Sequence, residues 1–346
     1  MRILFCLLII LCVIAVPVSA AEFTAPEAPD FAQDLMPVEQ TSFAQDVWQI
    51  IKSAVSALGP SLTEAGRSCF SLFAVVMLTS VLQCFSEGKN KVVELVAVLA
   101  IGTVLLHRTG TLIQLGVDTV NALSEYGKLL LPVMTAALAA QGGSVTSAAL
   151  YTGTAIFNAV LTTAISGLMV PMVYAYLALS VANGATCEKT LKSIQDFVKW
   201  LMTWFLKIIL YIFTGYMGIT GVVSGTVDAA AVKATKLTIS GMVPVVGGIL
   251  SDASEAVIVG AGVMKSAAGV YGLLAMIAIW VSPFLQIGLQ YLLLKATAAV
   301  CTAFGEKRIT ELIQCFSTAM GLLLAMTAVV CVLLMISTVC FMKGAG

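Results

Sequence analysis

Apolar positions dominate this chain and fall into long runs separated by short polar breaks. A helix crossing a bilayer needs about 20 mainly apolar residues. Runs near 68–86, 91–107, 166–183, 198–222, 272–303 and 310–341 read as spans. Two more apolar regions, 119–165 and 232–268, are interrupted by Gly, Pro and charge, and fit either spanning or re-entrant segments. The predicted class is therefore all-α: a polytopic membrane helix bundle.

The first 20 residues have a different pattern. Arg2 precedes an apolar core over 3–16, Pro17 breaks it, and Val18-Ser19-Ala20 puts small residues before a cleavage point. That is the form of a secretory signal peptide over 1–20. It places residue 21 on the extracytoplasmic side. Residues 21–65 then form an extracytoplasmic N-terminal segment, opening with Pro26, Pro29 and Pro37 among Glu22, Glu27, Asp30 and Asp34. Phe43, Val47, Ile50, Ile51, Ala54, Val55 and Leu58 recur at helical spacing, predicting an amphipathic helix that ends near Gly59-Pro60. The multi-span domain fills 66–343.

Three short breaks between spans resemble one another. Ser86-Glu87-Gly88-Lys89-Asn90-Lys91, Asn183 to Lys189, and Phe304-Gly305-Glu306-Lys307-Arg308 each combine Gly, Glu and nearby basic residues before an amphipathic helix entry. Between the first and second lie Val117-Asp118 and Leu131-Pro132-Val133; between the second and third lie Val227-Asp228 and Val243-Pro244-Val245. The matching order predicts an internal repeat of helical hairpins. If the leader sets residue 21 outside, all three breaks face the cytoplasm. Their excess of Lys and Arg is the positive-inside arrangement.

Composition narrows the class further. Of 346 residues, 60% are hydrophobic and 10% charged, with mean hydropathy +1.02. A soluble domain carries about a quarter charged residues, so too few exist here to cover a water-facing surface. Lys+Arg and Asp+Glu balance at 18 each, which points away from nucleic acid. The nine Cys include Cys6 and Cys12 in the leader; the others sit singly in or beside apolar runs, with no CxxC pair. They read as packing residues.

The interrupted regions hold the candidate pathway residues. Proline removes a helix hydrogen bond, and freed backbone in hydrocarbon must be satisfied by protein or water. Broken helices at membrane depth therefore tend to line cavities. The candidates are Pro132, Gly142 and Gly143 in one region; Pro244, Gly247, Gly248, Ser251, Asp252 and Glu255 in the other; and Asp118 and Asp228 beside them. Either region also fits an ordinary proline-kinked helix. Lys207 and Lys295 lie inside spans, each about 12 Å from a cytoplasmic end at 1.5 Å per residue. They read as snorkelling side chains or as parts of a polar pathway. Gly215, Gly218, Gly221 and Gly225 invite close helix packing or oligomerisation.

Catalytic and cofactor patterns are missing. The one histidine, His107, has no metal or triad partners in the pattern, and neither GK[ST], HExxH nor GxGD occurs. No enzyme, no cofactor and no metal site is expected.

The leader, the acidic Pro-containing start, the spans and the stretch 242–269 (MVPVVGGILSDASEAVIVGAGVMKSAAG) resemble the stage III sporulation protein AE family of endospore-forming Firmicutes. The resemblance implies a component of the mother-cell-to-forespore channel complex, in the mother-cell membrane around the forespore. It implies other stage III sporulation operon membrane proteins as partners, and a forespore-side partner across the intermembrane space. It implies no catalytic or ligand residues. Three functions follow as expectations: a permease-like subunit passing small solutes, a non-transporting scaffold, and a secondary transporter outside sporulation.

Overall fold

The computed structural model describes residues 25–37, 42–85, 91–186, 188–242, 247–302 and 307–343, with side chains placed outside 83–91 and 221–264. Residues 1–20, the expected signal peptide, and Pro244 lie outside the described residues. Every described element is helical: α1 Asp30–Gln33, α2 Phe43–Ser56, α3 Gly59–Phe85, α4 Lys91–Ala140, α5 Ser144–Ala164, α6 Val170–Thr186, α7 Lys189–Met242, α8 Gly247–Thr302 and α9 Lys307–Lys343. A π-turn, Ile165–Met169, joins α5 to α6. Among the described residues six helical stretches are long and apolar enough to cross a membrane. The chain is a multi-pass helical bundle.

Local chemistry sets the ends. Ser42 caps α2: its extended backbone lets the Oγ accept the Gln45 N–H at 3.4 Å. Ile50 and Ala54 are buried on one face of α2, with Val47 and Ile51 half-buried beside them, against α8. Gly59-Pro60 opens α3, where a missing N–H at the first turn is harmless, so the same dipeptide that closes one helix starts the next. The π-turn sits just before Pro171, whose absent N–H would otherwise have bonded the Gly167 carbonyl.

The break expected in 129–143 comes later than Pro132. α4 runs without interruption through Pro132, whose ring removes one hydrogen bond from a helix otherwise satisfied along its length. The chain turns ten residues on. Gly142, at φ 92°, donates its N–H to Ala139 O at 2.9 Å, and Gly143 donates to Leu138 O at 3.1 Å. That pair of bonds is a Schellman cap, and the left-handed residue within it suits glycine. The second interrupted region is likewise drawn into helices: 232–242 ends α7, and Gly247, Gly248, Ser251, Asp252 and Glu255 lie in the first turns of α8. Long helical hairpins recur, α4 with α5–α6 and α7 with α8. Pro132 is inside α4, while Pro244, its expected counterpart, lies outside the described residues.

α9 is the central element and packs on α4, α5, α6, α7 and α8. Its Ile313, Phe316, Met320, Val330 and Phe341 are all inaccessible. Ion pairs join the first turns of three helices: Arg308 Nε donates to Glu94 Oε1 at 2.9 Å, and Lys192 Nζ lies 4.0 Å from Glu311 Oε2. The starts of α4, α7 and α9 therefore meet at one end. The helices far exceed one bilayer crossing. α4 has 50 residues and α7 has 54, so they span about 75 and 81 Å against a hydrocarbon layer of about 30 Å. The N-terminal segment folds onto the far part, where Tyr126 of α4 donates to Pro26 O at 3.2 Å.

Candidate functional site

α7 carries two stripes of different chemistry. Gln195, Met202, Leu206, Ile209, Phe213 and Met217, spaced by seven residues and then by three or four, share one face and are buried. Lys192, Asp196, Lys199, Thr203 and Lys207 recur every three or four residues on an adjoining face. Packing the first stripe fixes where the second points.

Near the ion-paired end, the second stripe faces α6 and α9 across a cleft of about 340 Å³. Glu188, Lys192, Asp196, Arg308 and Glu311 line it, so both charge signs are present. Its floor is polar and buried. Gln195, 3% exposed, donates from Nε2 to Ser180 Oγ at 2.8 Å and to Cys315 Sγ at 2.9 Å; Ser180 Oγ in turn donates to Tyr176 O at 2.7 Å. A buried amide whose N–H donors reach two other helices ties α6, α7 and α9 together.

The cleft continues along α7 past Lys199 and Thr318, which also line a groove of about 510 Å³ between α7, α8 and α9. Lys199, Lys207 and Lys295 all reach this groove. Lys295 Nζ donates to Tyr291 Oη at 3.1 Å and lies 5.4 Å from that ring's centre. Among the described residues no carboxylate comes within 4 Å of the three lysines. The far wall is apolar, made by Leu210, Leu322, Ala325 and Val329.

Two of the predicted residues, Lys207 and Lys295, are thus brought together from different helices. Lys295, seven residues before the end of α8, keeps the expected depth, but Lys207 does not: α7 begins at Lys189, so Lys207 lies about 27 Å along the axis, at 1.5 Å per residue. Asp118 is not part of the groove; it is exposed on α4 and accepts from Gln114 Nε2 at 2.8 Å. Pro132, Gly142 and Gly143 belong to the body and cap of α4. The side chains of Asp228, Gly247, Gly248, Ser251, Asp252 and Glu255 lie outside the described residues. Gly215 and Gly218 face open space and pack no neighbouring helix. Among the described residues no three His, Cys, Asp or Glu side chains come together as metal ligands. Lys199, Gln195 and Tyr291 were not anticipated. The Lys192–Asp196–Lys199–Thr203–Lys207 spacing was the available signal.

The sequence model of the stage III sporulation protein AE family matches residues 30–345, nearly the whole chain. The chain belongs to this family. A relative in Bacillus subtilis (strain 168), described as stage III sporulation protein AE, is 19% identical over 301 residues, which cover 86% of this chain and 75% of the relative. No solved structure matches. Membership makes this a multi-pass membrane protein of a sporulation family, in agreement with the resemblance carried by 242–269.

Proposed function

We propose that the chain is a permease-like subunit of the mother-cell-to-forespore channel complex, working without catalysis in the mother-cell membrane around the forespore. Its partners are the other membrane proteins of the stage III operon and a forespore-side protein. The cleft at the ion-paired end is the solute-facing part. The observation that supports this reading is the clustering of both charge signs over a buried polar floor, which suits small hydrated solutes better than an apolar ligand. By the positive-inside rule that end is cytoplasmic. The N-terminal segment and the far parts of α4, α7 and α8 then stand toward the intermembrane space.

A scaffold reading is favoured by one observation: helices about 75–81 Å long present side surface well beyond a single crossing. Single cysteines at Asp196 and Thr318, in a background without the native mature cysteines, separate the two. A bulky thiol reagent admitted to the mother-cell cytoplasm should label both positions and stop transfer of a small fluorescent solute into the forespore. Full labelling with undiminished transfer and sporulation would leave the scaffold reading.

A further inference from the structure

The groove beside the cleft has a composition that solute passage does not call for. The cleft mixes both signs, with Glu188, Asp196 and Glu311 set among Lys189, Lys192, Lys199 and Arg308. The groove gathers Lys199, Lys207 and Lys295 with no carboxylate within 4 Å among the described residues. All three side chains are exposed, so three ammonium groups meet in a groove that water and headgroups can reach. An anion bridging them would offset that charge. Tyr291 occupies one N–H of Lys295, which leaves that ammonium two further donors.

The rest of the groove selects among anions. Beyond the lysines its wall is Leu206, Leu210, Leu322, Ala325 and Val329, which offers nothing to a hydrophilic ion and suits a hydrocarbon chain. The level along α7 agrees. Phe197, Trp200 and Trp204 are exposed and stack in sequence at 5.9 and 5.8 Å, with Lys199 among them and Lys207 three residues on. Exposed aromatic girdles sit where headgroups meet hydrocarbon. Basic pockets between membrane helices at that level are headgroup sites.

We infer that this groove holds an anionic phospholipid, its phosphate on Lys199, Lys207 and Lys295 and an acyl chain along Leu210, Ala325 and Val329. The inference is independent of the channel reading; the same site would exist in a scaffold. It gives the groove a resident that seals the side of the cleft from the bilayer. A soluble phosphate shares the headgroup chemistry but gains nothing from the apolar wall.

The test is native mass spectrometry of the full chain in detergent, titrated with phosphatidylglycerol, phosphatidylcholine or glycerol phosphate. Phosphatidylglycerol should be retained preferentially. A juxtamembrane lysine contributes about fivefold in affinity, so Lys199→Gln, Lys207→Gln and Lys295→Gln combined should weaken retention roughly a hundredfold. The matching triple Arg variant should keep it, as should the distant Lys52→Gln. Equal retention of phosphatidylcholine overturns the proposal, as does an undiminished triple Gln variant. Glycerol phosphate binding as tightly as the lipid would make this a soluble-anion site instead. If the triple Gln variant does not fold, the three titrations of the unaltered chain still decide.

Discussion

The position of α7 depends on one close contact, and its removal has a calculable effect. Tyr216 lays its ring directly over Gly153 of α5 and donates to Ala149 O at 2.9 Å. Phe157 flanks it, with ring centres 5.9 Å apart, and also meets Phe213 edge-on at 5.3 Å. A Cβ on residue 153 would run into Cε1 of that ring and lie 2.7 and 2.9 Å from Cζ and Cδ1. The ring is anchored at its hydroxyl, so it cannot move aside without breaking the bond. Overpacking of this kind costs about 1–3 kcal/mol. Loss of the hydrogen bond adds about 1 kcal/mol. Replacing a helical Gly by Ala returns up to about 1 kcal/mol. Gly153→Ala should therefore destabilise by about 2 kcal/mol. Gly215→Ala, one residue from Tyr216 but facing open space, should be neutral or slightly stabilising. Reversible unfolding in mixed micelles, titrated with SDS, reads both. The decisive comparison uses a Tyr216→Ala background, where the ring is gone and the penalty of Gly153→Ala should vanish. A wild-type-like Gly153→Ala protein, or an equal loss in both backgrounds, would refute the packing argument.

Two further outcomes follow from the same geometry. Gly142→Ala places a Cβ on a residue at φ 92° and should destabilise by about 1–2 kcal/mol, with Gly142→Asn milder, in the same SDS titration. Arg308→Glu leaves the carboxylate of Glu94, only 12% exposed, facing a like charge; sporulation should fall sharply, and the charge-swapped pair Glu94→Arg with Arg308→Glu should restore most of it. A swap no better than the single change would mean that these helix starts are not held by the pair.

What the linear pattern revealed and what it hid have the same physical origin. Apolar runs, the amphipathic stretch at 43–55 and the basic breaks were readable because each depends on residues close in sequence. The ion pairs Arg308–Glu94 and Lys192–Glu311 bring together the helix starts that follow those breaks. Helix continuity was harder to read. Pro132 looked like an interruption because proline removes a bond, but one lost bond does not end a helix whose neighbours remain paired. The charges at 188–199 keep the expected span from starting before 198, although Leu191–Ile194 already reads as an amphipathic entry. The helix in fact starts at Lys189, because its charged residues share one face and leave the buried stripe from Gln195 to Met217 intact.

That displaced start is why the sequence singles out Lys207 and Lys295 but not Lys199. With α7 beginning at 198, Lys199 is a terminal residue and Lys207 a lone lysine near a membrane face, best explained by snorkelling. With α7 beginning at Lys189, both belong to one stripe running from the charged cleft into the apolar bundle. Lys295 joins them only through the fold, since 88 positions separate it from Lys207 and α9 brings α7 and α8 together. Each lysine is exposed, as a snorkelling side chain is; what motivates the anionic-lipid proposal is that three from two helices reach one groove with no carboxylate within 4 Å among the described residues. Periodicity could have placed two of these residues on one face. Only the meeting of helices at α9 could show that the third completes them.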